Sequence, residues 1–465
     1  MKNRIAVIFA SLFLLAATFP QGSSAPDFGQ ARDETAKMLV EMVKIDTSNG
    51  NETKVAEYIK SVLDKEGIAS EIFEMVPGRG NVVARLKGNG KKRPILLMGH
   101  IDVVGVERAR WTVDPFAGVV KDGYVWGRGS SDDKGMTAAC LEVFLQLHRL
   151  KVPLDRDVIF LAEAGEEGTP SVGIEYMVDK HWDKIECEFA LNEGGGTLKR
   201  DGKVAYVGIA TTEKVPRGMK LVAKGTSGHA SMPRPDNPIV HLAAAVEKVG
   251  NYQCPMRLNE TTRAFFRRLA KISPPEETKL YATLENPEES AAAQEKLRTT
   301  NIQYNSMLRT SISPTIINGG FRSNVIPADA QATLDVRALP DEDIPALVAA
   351  LTRLINDPQV EVVPPARGGR PATPPSSITT DLFRAMEEVQ TKVFPDAATL
   401  PLMVTGATDS AQLRAKGVQA YGLGTVATED DRSRVHGNDE RNSIEGLGKF
   451  VEFIYRSVTA VAAAK

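Results

Sequence analysis

The sequence predicts an α/β protein: a mostly parallel sheet flanked by helices, with a smaller α+β module inserted into it. Three observations lead there. Short apolar runs alternate with amphipathic helical stretches early in the chain, the alternation returns in the last third, and the middle breaks from it. At 465 residues there is material for two or three domains with a sizeable core.

Taken in order, Lys2 and Arg4 precede an apolar run over 5–17, followed by Pro20, Gly22 and the small residues Ser23, Ser24 and Ala25. A charged start, a short apolar stretch and a small-residue cleavage site read as a secretory signal peptide over 1–25. That run is short for crossing about 30 Å of hydrocarbon, so no integral membrane span is expected after its removal. The protein is therefore expected to be exported, periplasmic or secreted. Apolar residues three or four apart predict helices over 33–44 and 54–65. Strands are expected at 81–86, 94–98, 158–162 and 189–191. A helix is expected over 134–150, where Met136, Leu141, Phe144 and Leu147 share a face.

The middle reads as strands 203–209 and 219–223, helix 238–249, strand 330–337 and helix 343–355. Residues 251–308 are polar and helix-leaning, an added excursion within that module. The stretch 366–377, rich in Pro, Gly and Arg, marks the return, and 418–423 and 444–461 resume the alternation of strand and helix. The larger domain is thus expected over 26–212 and 367–465, and the insertion over 213–366.

Lys+Arg 57 against Asp+Glu 59 gives a net charge of −2, with no basic footprint for nucleic acid or anionic lipid. Cys140, Cys187 and Cys254 allow at most one disulfide, and Cys140 falls in an apolar helical run that suits a buried thiol. With 6 His, each can be weighed singly.

Chemistry-bearing residues gather just past the predicted strands. His100 and Asp102 follow 94–98, Glu166 and Glu167 follow 158–162, and Glu193 follows 189–191. In open α/β sheets the ligand crevice lies at that edge, so these side chains should converge. Asp132 and Asp133 come from the loop GRGSSDDKG, directly before a helix. Either alone would pass as a helix cap. Crowded carboxylates repel one another unless a cation neutralises them, so this set, with His100 and the late His436, calls for metal. Imidazole plus carboxylate without Cys suits zinc, with cobalt or manganese as alternatives. No P-loop, GxSxG elbow or HExxH helix is present.

The ordered motifs GHIDVV, GRGSSDDKG, AEAGEEG, NEGGG and VHGNDE resemble those of the two-zinc peptidases and amidohydrolases. That family includes carboxypeptidase G, carboxypeptidase S, aminoacylase, acetylornithine deacetylase, succinyl-diaminopimelate desuccinylase and carnosinase. The resemblance implies a zinc-peptidase-like catalytic domain carrying a ferredoxin-like lid that also dimerises. It implies two Zn²⁺ per subunit, with Co²⁺ or Mn²⁺ possible substitutes. Asp132 would bridge them, His100 and Glu193 completing one site, Glu167 and His436 the other. A cis bond is expected between Asp132 and Asp133. Glu166, beside a ligand but free of the metal, would be the general base, and Asp102 would orient His100.

The same resemblance makes His229, in GTSGHAS, the donor to the tetrahedral oxyanion, often supplied by the partner subunit of a homodimer joined through the lid. Without it, His229 would pass for an ordinary loop histidine. Asn324 in GGFRSNVIP and Arg337 in LDVRALP resemble carboxylate-binding residues, since an arginine fork matches a terminal carboxylate. Gly406, Thr408 and Asp409 in TGATDS resemble the loop beside the site, where Thr408 is assigned to substrate binding. The implied reaction is hydrolysis of an amide next to a free carboxylate, in a peptide or an N-acyl amino acid. A dipeptidase or an aminoacylase-like amidohydrolase is the alternative. An export signal disfavours the biosynthetic deacylases, whose substrates are cytoplasmic.

Overall fold

A computed structural model describes residues 25–366 and 368–464. Except for Ala25, the predicted signal segment 1–25 lies outside them.

The strands expected at 81–86, 94–98, 158–162, 189–191, 203–209 and 418–423 fall in one ten-stranded sheet. Its path runs Ser70–Glu74, Gly80–Leu86, Val158–Glu163, Ile95–His100, Phe189–Asn192, Gln419–Gly422, Lys203–Glu213, Gly196–Arg200 and Val426–Ala427, and Ala398–Val404 pairs with Lys203–Glu213. The four strands from Val158–Glu163 to Gln419–Gly422 are mutually parallel, and antiparallel pairs flank them. Alternation along Ile95–His100 shows why both faces must be covered. Ile95 and Leu97 point into one apolar cluster with Leu39, Phe144, Phe383 and Phe450, while Leu96 and Met98 point into another with Met177 and Leu413. Each such side chain stabilises the fold by about 1.5–3 kcal/mol. Helices Phe28–Val43, Lys134–Arg149, Asp381–Val393 and Ile444–Ala462 cover the first face. The first of these starts earlier than periodicity indicates, because the Asp27 carboxylate caps it by accepting from the N–H groups of Gly29 and Gln30.

The insertion is strand, helix, strand, strand, helix, strand: Met219–Lys224, Pro238–Asn251, Ser311–Gly319, Asp329–Ala338, Ile344–Ile355 and Val360–Val363. That chain order with an antiparallel sheet is ferredoxin-like. Strand 203–209 extends to Glu213 and lies in the large sheet. The excursion 251–308 leaves the lid in sequence but packs on the core in space. Phe265, Phe266, Leu269, Tyr281 and Leu297 on its helices meet Leu198, Tyr206, Leu400 and Met403 of the large sheet. Cys140, Cys187 and Cys254 are all buried free thiols. No helix among the described residues is long and apolar enough to cross a membrane.

Candidate metal centre

His100 is the last residue of its strand, and the approach of the next helix fixes where it stands. A Cβ on Gly99 would lie 2.7 Å from Asp133 Oδ2 and 3.1 Å from the Thr137 nitrogen, so only glycine lets the strand end meet the N-terminus of Lys134–Arg149. The Asp133 carboxylate accepts from the His100 N–H at 3.3 Å, and the Thr137 hydroxyl donates to the His100 carbonyl at 3.2 Å.

The loop that presents Asp132 is held from below by Glu440, fully buried and paired with Arg128. Glu440 accepts from the backbone N–H groups of Ser131 at 2.8 Å and Asp132 at 3.1 Å. The Asn442 amide donates to the Ser130 carbonyl at 2.8 Å. The Asp132–Asp133 peptide bond is cis.

On this scaffold the side chains converge. Asp132 offers Oδ1 to His100 Nε2 and Oδ2 to His436 Nε2, each at 3.0 Å. Glu167 Oε1 lies 2.9 Å from the same His436 nitrogen. One carboxylate thus faces two imidazoles from opposite sides. A ring nitrogen of His100 also comes within 4.8 Å of carboxylate oxygens of Glu166 and Glu193, which are equally close to each other. His100 Nδ1 faces Asp102, 3.1 Å from its carbonyl oxygen and 3.4 Å from Oδ1. With the proton on Nδ1, Nε2 keeps a lone pair for a metal. The Asp102 carboxylate also accepts the N–H groups of Glu166 at 3.1 Å and Glu167 at 3.0 Å, fixing the loop that carries both.

The charges here ask for cations. Burial, with Glu166, Asp132 and Asp133 nearby, holds the Glu193 carboxyl well above its usual pKa. Burial and the charge of Asp409 push Glu166 up to about 8. Hydrogen bonds to Asp132 and Glu167 raise His436 to about 10. Burial opposes protonation of His100, yet Asp102 and Asp132 outweigh it and hold its pKa well above normal. Protons here do what metal ions would do: they neutralise converging carboxylates. The donor set of two imidazoles and several carboxylates fits first-row divalent ions such as zinc. Beside it opens a cavity of about 270 Å³, lined on its apolar side by Met136, Leu423 and Val435.

The other expected residues lie elsewhere. His229 is on the lid, exposed, in the two-residue pair with Val325–Ile326, and its Nδ1 accepts from the Ser231 N–H at 3.1 Å. The Asn324 carbonyl accepts from the Ala230 N–H at 3.0 Å, which brings these two together on one lid surface. Arg337 Nε donates to Asp335 on its own strand at 2.8 Å. Thr408 is buried, its hydroxyl donating to Glu213 at 2.7 Å and accepting from the Ser410 N–H at 3.2 Å. Arg370, which the sequence offers only as part of a Pro- and Gly-rich link, pairs with both Glu166 and Asp409. Glu440 lies within the VHGNDE motif, but a buried anchor leaves no spacing signal to mark its role.

Comparison with known proteins places this arrangement. A profile of Peptidase family M20/M25/M40 matches residues 96–460. Probable carboxypeptidase S-like 2 of Dictyostelium discoideum is 32% identical over 377 residues, covering 79% of this chain and 71% of that protein. The human N-fatty-acyl-amino acid synthase/hydrolase is 27% identical over 430 residues, covering 90% and 84%. The M20 family metallo-carboxypeptidase Sso-CP2 from Sulfolobus solfataricus shares the fold, with a TM-score of 0.68 at 21% identity over 92% of this chain and 99% of that one. A profile match over most of the chain, together with a relative at this identity, shows that the chain belongs to peptidase family M20/M25/M40 and is a hydrolase of amide bonds.

Proposed function

We propose that the protein is an exported carboxypeptidase-type hydrolase that cleaves an amide bond adjacent to a free carboxylate, using two zinc ions. The observation that carries this is Asp132, whose two oxygens face His100 and His436 from opposite sides. His100, Asp132 and Glu193 would hold one ion and Asp132, Glu167 and His436 the other. When bound, such a pair activates water and polarises the scissile carbonyl. The protein's own groups do the rest. Glu166 takes the proton from the attacking water and delivers it to the leaving amine. Asp102 keeps His100 in one tautomer and orientation.

Substrate recognition and oxyanion stabilisation are assigned to the lid. His229 donates to the developing oxyanion from the partner subunit, and Asn324 and Arg337 bind the substrate carboxylate, with Arg337 exchanging Asp335 for it. Thr408 contributes by shaping the loop at Glu213. A homodimer through the lid is supported by Ser311–Gly319, an edge strand exposed along most of its length with Ile316 and Ile317 outward. Export rests on the reading of 1–25. The apolar wall of the cavity favours an uncharged group beside the scissile bond. N-acyl-amino-acid hydrolysis is the second reading, favoured by the likeness to the N-fatty-acyl-amino acid synthase/hydrolase.

The test is a substrate panel with and without chelator: a blocked peptide ending in leucine, alanyl-leucine, N-acetyl-leucine and N-lauroyl-leucine. Chelator should abolish turnover and zinc, cobalt or manganese restore it. Turnover of the blocked peptide first supports the carboxypeptidase reading, and turnover of the acyl amino acids alone supports the second. Chelator-insensitive turnover refutes both.

A further inference from the structure

Among the described residues, one side chain hydrogen-bonds the Glu166 carboxylate, and it is Arg370. Arg370 lies on the link that returns from the lid, between strand Val360–Val363 and helix Asp381–Val393. Its Nη2 donates to Glu166 Oε1 at 2.5 Å and to the Glu166 carbonyl oxygen at 3.2 Å. Its Nη1 donates to Asp409 Oδ1 at 3.0 Å. The guanidinium is 12% exposed and Asp409 is wholly buried, so the fork is braced on one side by a carboxylate that cannot move away into solvent. A planar fork spans two carboxylates in this way, and an ammonium does not.

The backbone of Arg370 is fastened as well. Its carbonyl oxygen accepts from Arg217 Nη1 at 3.1 Å, and that nitrogen also donates to the Pro216 carbonyl at 3.0 Å. Arg217 sits on the outgoing link, between Val215–Pro216 and Met219–Lys224, and its N–H donates to the Val336 carbonyl of the lid sheet at 2.8 Å. A continuous path of hydrogen bonds therefore runs from the lid sheet through Arg217 and Arg370 to Glu166.

We propose that Arg370 is a positioning residue, which grips Glu166 by Oε1, leaves its other oxygen for the proton, and ties that carboxylate to the links between lid and core. The inference rests on the reading of Glu166 as general base. It predicts that lid position and proton transfer are coupled through Arg370, with no contact between Arg370 and substrate required.

The experiment compares Arg370→Ala, Arg370→Lys, Glu166→Gln and the double variant Glu166→Gln/Arg370→Ala, using the panel substrate that the wild-type enzyme turns over best. Metal content is measured in each. Arg370→Ala should lose about 10²-fold in kcat with KM changed less than about threefold and metal content unchanged. Added guanidinium ion should restore kcat by about tenfold, and urea at equal concentration should not. Arg370→Lys should fall between. In the Glu166→Gln background Arg370→Ala should add no further loss. Wild-type kcat in Arg370→Ala beside an inactive Glu166→Gln overturns this inference and leaves the base reading standing. Wild-type kcat in Glu166→Gln overturns the base reading itself. A loss in KM alone, or a full further loss in the double variant, also overturns the inference. Should Arg370→Ala fail to fold, Arg217→Ala takes the same readouts: several-fold lower kcat at unchanged KM supports the coupling, and wild-type kcat overturns it.

Discussion

The core and the lid contribute to the site by different means. In the core, His100 and Glu167 hang from strand ends and loops whose N–H groups are already bound by Asp133 and Asp102, and Asp132 rests on a buried Glu440. On the lid, His229 sits in a two-residue strand pair at the surface, and Asn324 in the turn that leads into its partner strand. The core groups are pre-organised, whereas the lid groups have little around them to hold a geometry until a substrate or a second subunit arrives. The contrast teaches that loss of a proposed metal ligand in the core, or of the group that braces it, should damage metal binding or the fold, while loss of a lid residue should damage turnover alone.

The sharpest break of that contrast is Asp132→Ala, which should abolish turnover, by about 10⁴-fold or more, and strip metal as read by elemental analysis. A variant that retained both ions would mean Asp132 is not shared. Next, His229→Ala should lower kcat by about 10²–10³-fold without changing the melting temperature or metal content, because His229 is exposed and its ring is hydrogen-bonded locally to Ser231. Full activity in that variant removes the oxyanion role. Third, Glu440→Ala leaves Arg128 buried without its partner and should cost about 3–5 kcal/mol in chemical denaturation, with weaker metal retention. A melt equal to wild type would show that the Asp132 loop is held by something else.

The smallest effect concerns the junction between the two regions. Lys214 is buried where the core sheet runs into the lid, its ammonium donating to Ser306 and Ser311 at 3.0 Å each. Burial lowers its pKa to about 7. The unfolded chain then binds more protons than the folded one from about pH 7 up to the ordinary lysine value, so this group's contribution makes stability rise with pH across that window. Relative to wild type, Lys214→Met should gain most below about pH 7 and progressively less above it, read as the difference in melting temperature between about pH 6 and pH 9. A difference independent of pH would show that Lys214 titrates normally.

Much of this was legible in the sequence because candidate metal donors at strand ends are bound to rigid spacing. His100 with Asp102, Glu166 with Glu167, and Asp132 before its helix come as short motifs, and the structure brings them within hydrogen-bonding range. Arg370 was not legible, since its partners Glu166 and Asp409 are far away in sequence and its own surroundings read as a link. Local pattern marks the strand at Lys203–Glu213 but not its neighbours in the sheet, because pairing partners are set by topology. The excursion 251–308 shows the same limit. An apolar face carrying Phe265, Phe266 and Leu269 requires a surface to cover, and nothing local says which domain supplies it.

That excursion sets the terms on which the molecule can be recombined with its relatives. Its helices are spliced into the lid, but their apolar face seals Leu198, Leu400 and Met403 of the core. A chimera exchanging 213–366 as one block would pair a foreign set of helices with a native sheet face. Cutting at the flanks of 251–308 as well keeps that seam with the core, and the lid becomes two separate inserts threaded around a piece of the domain it covers.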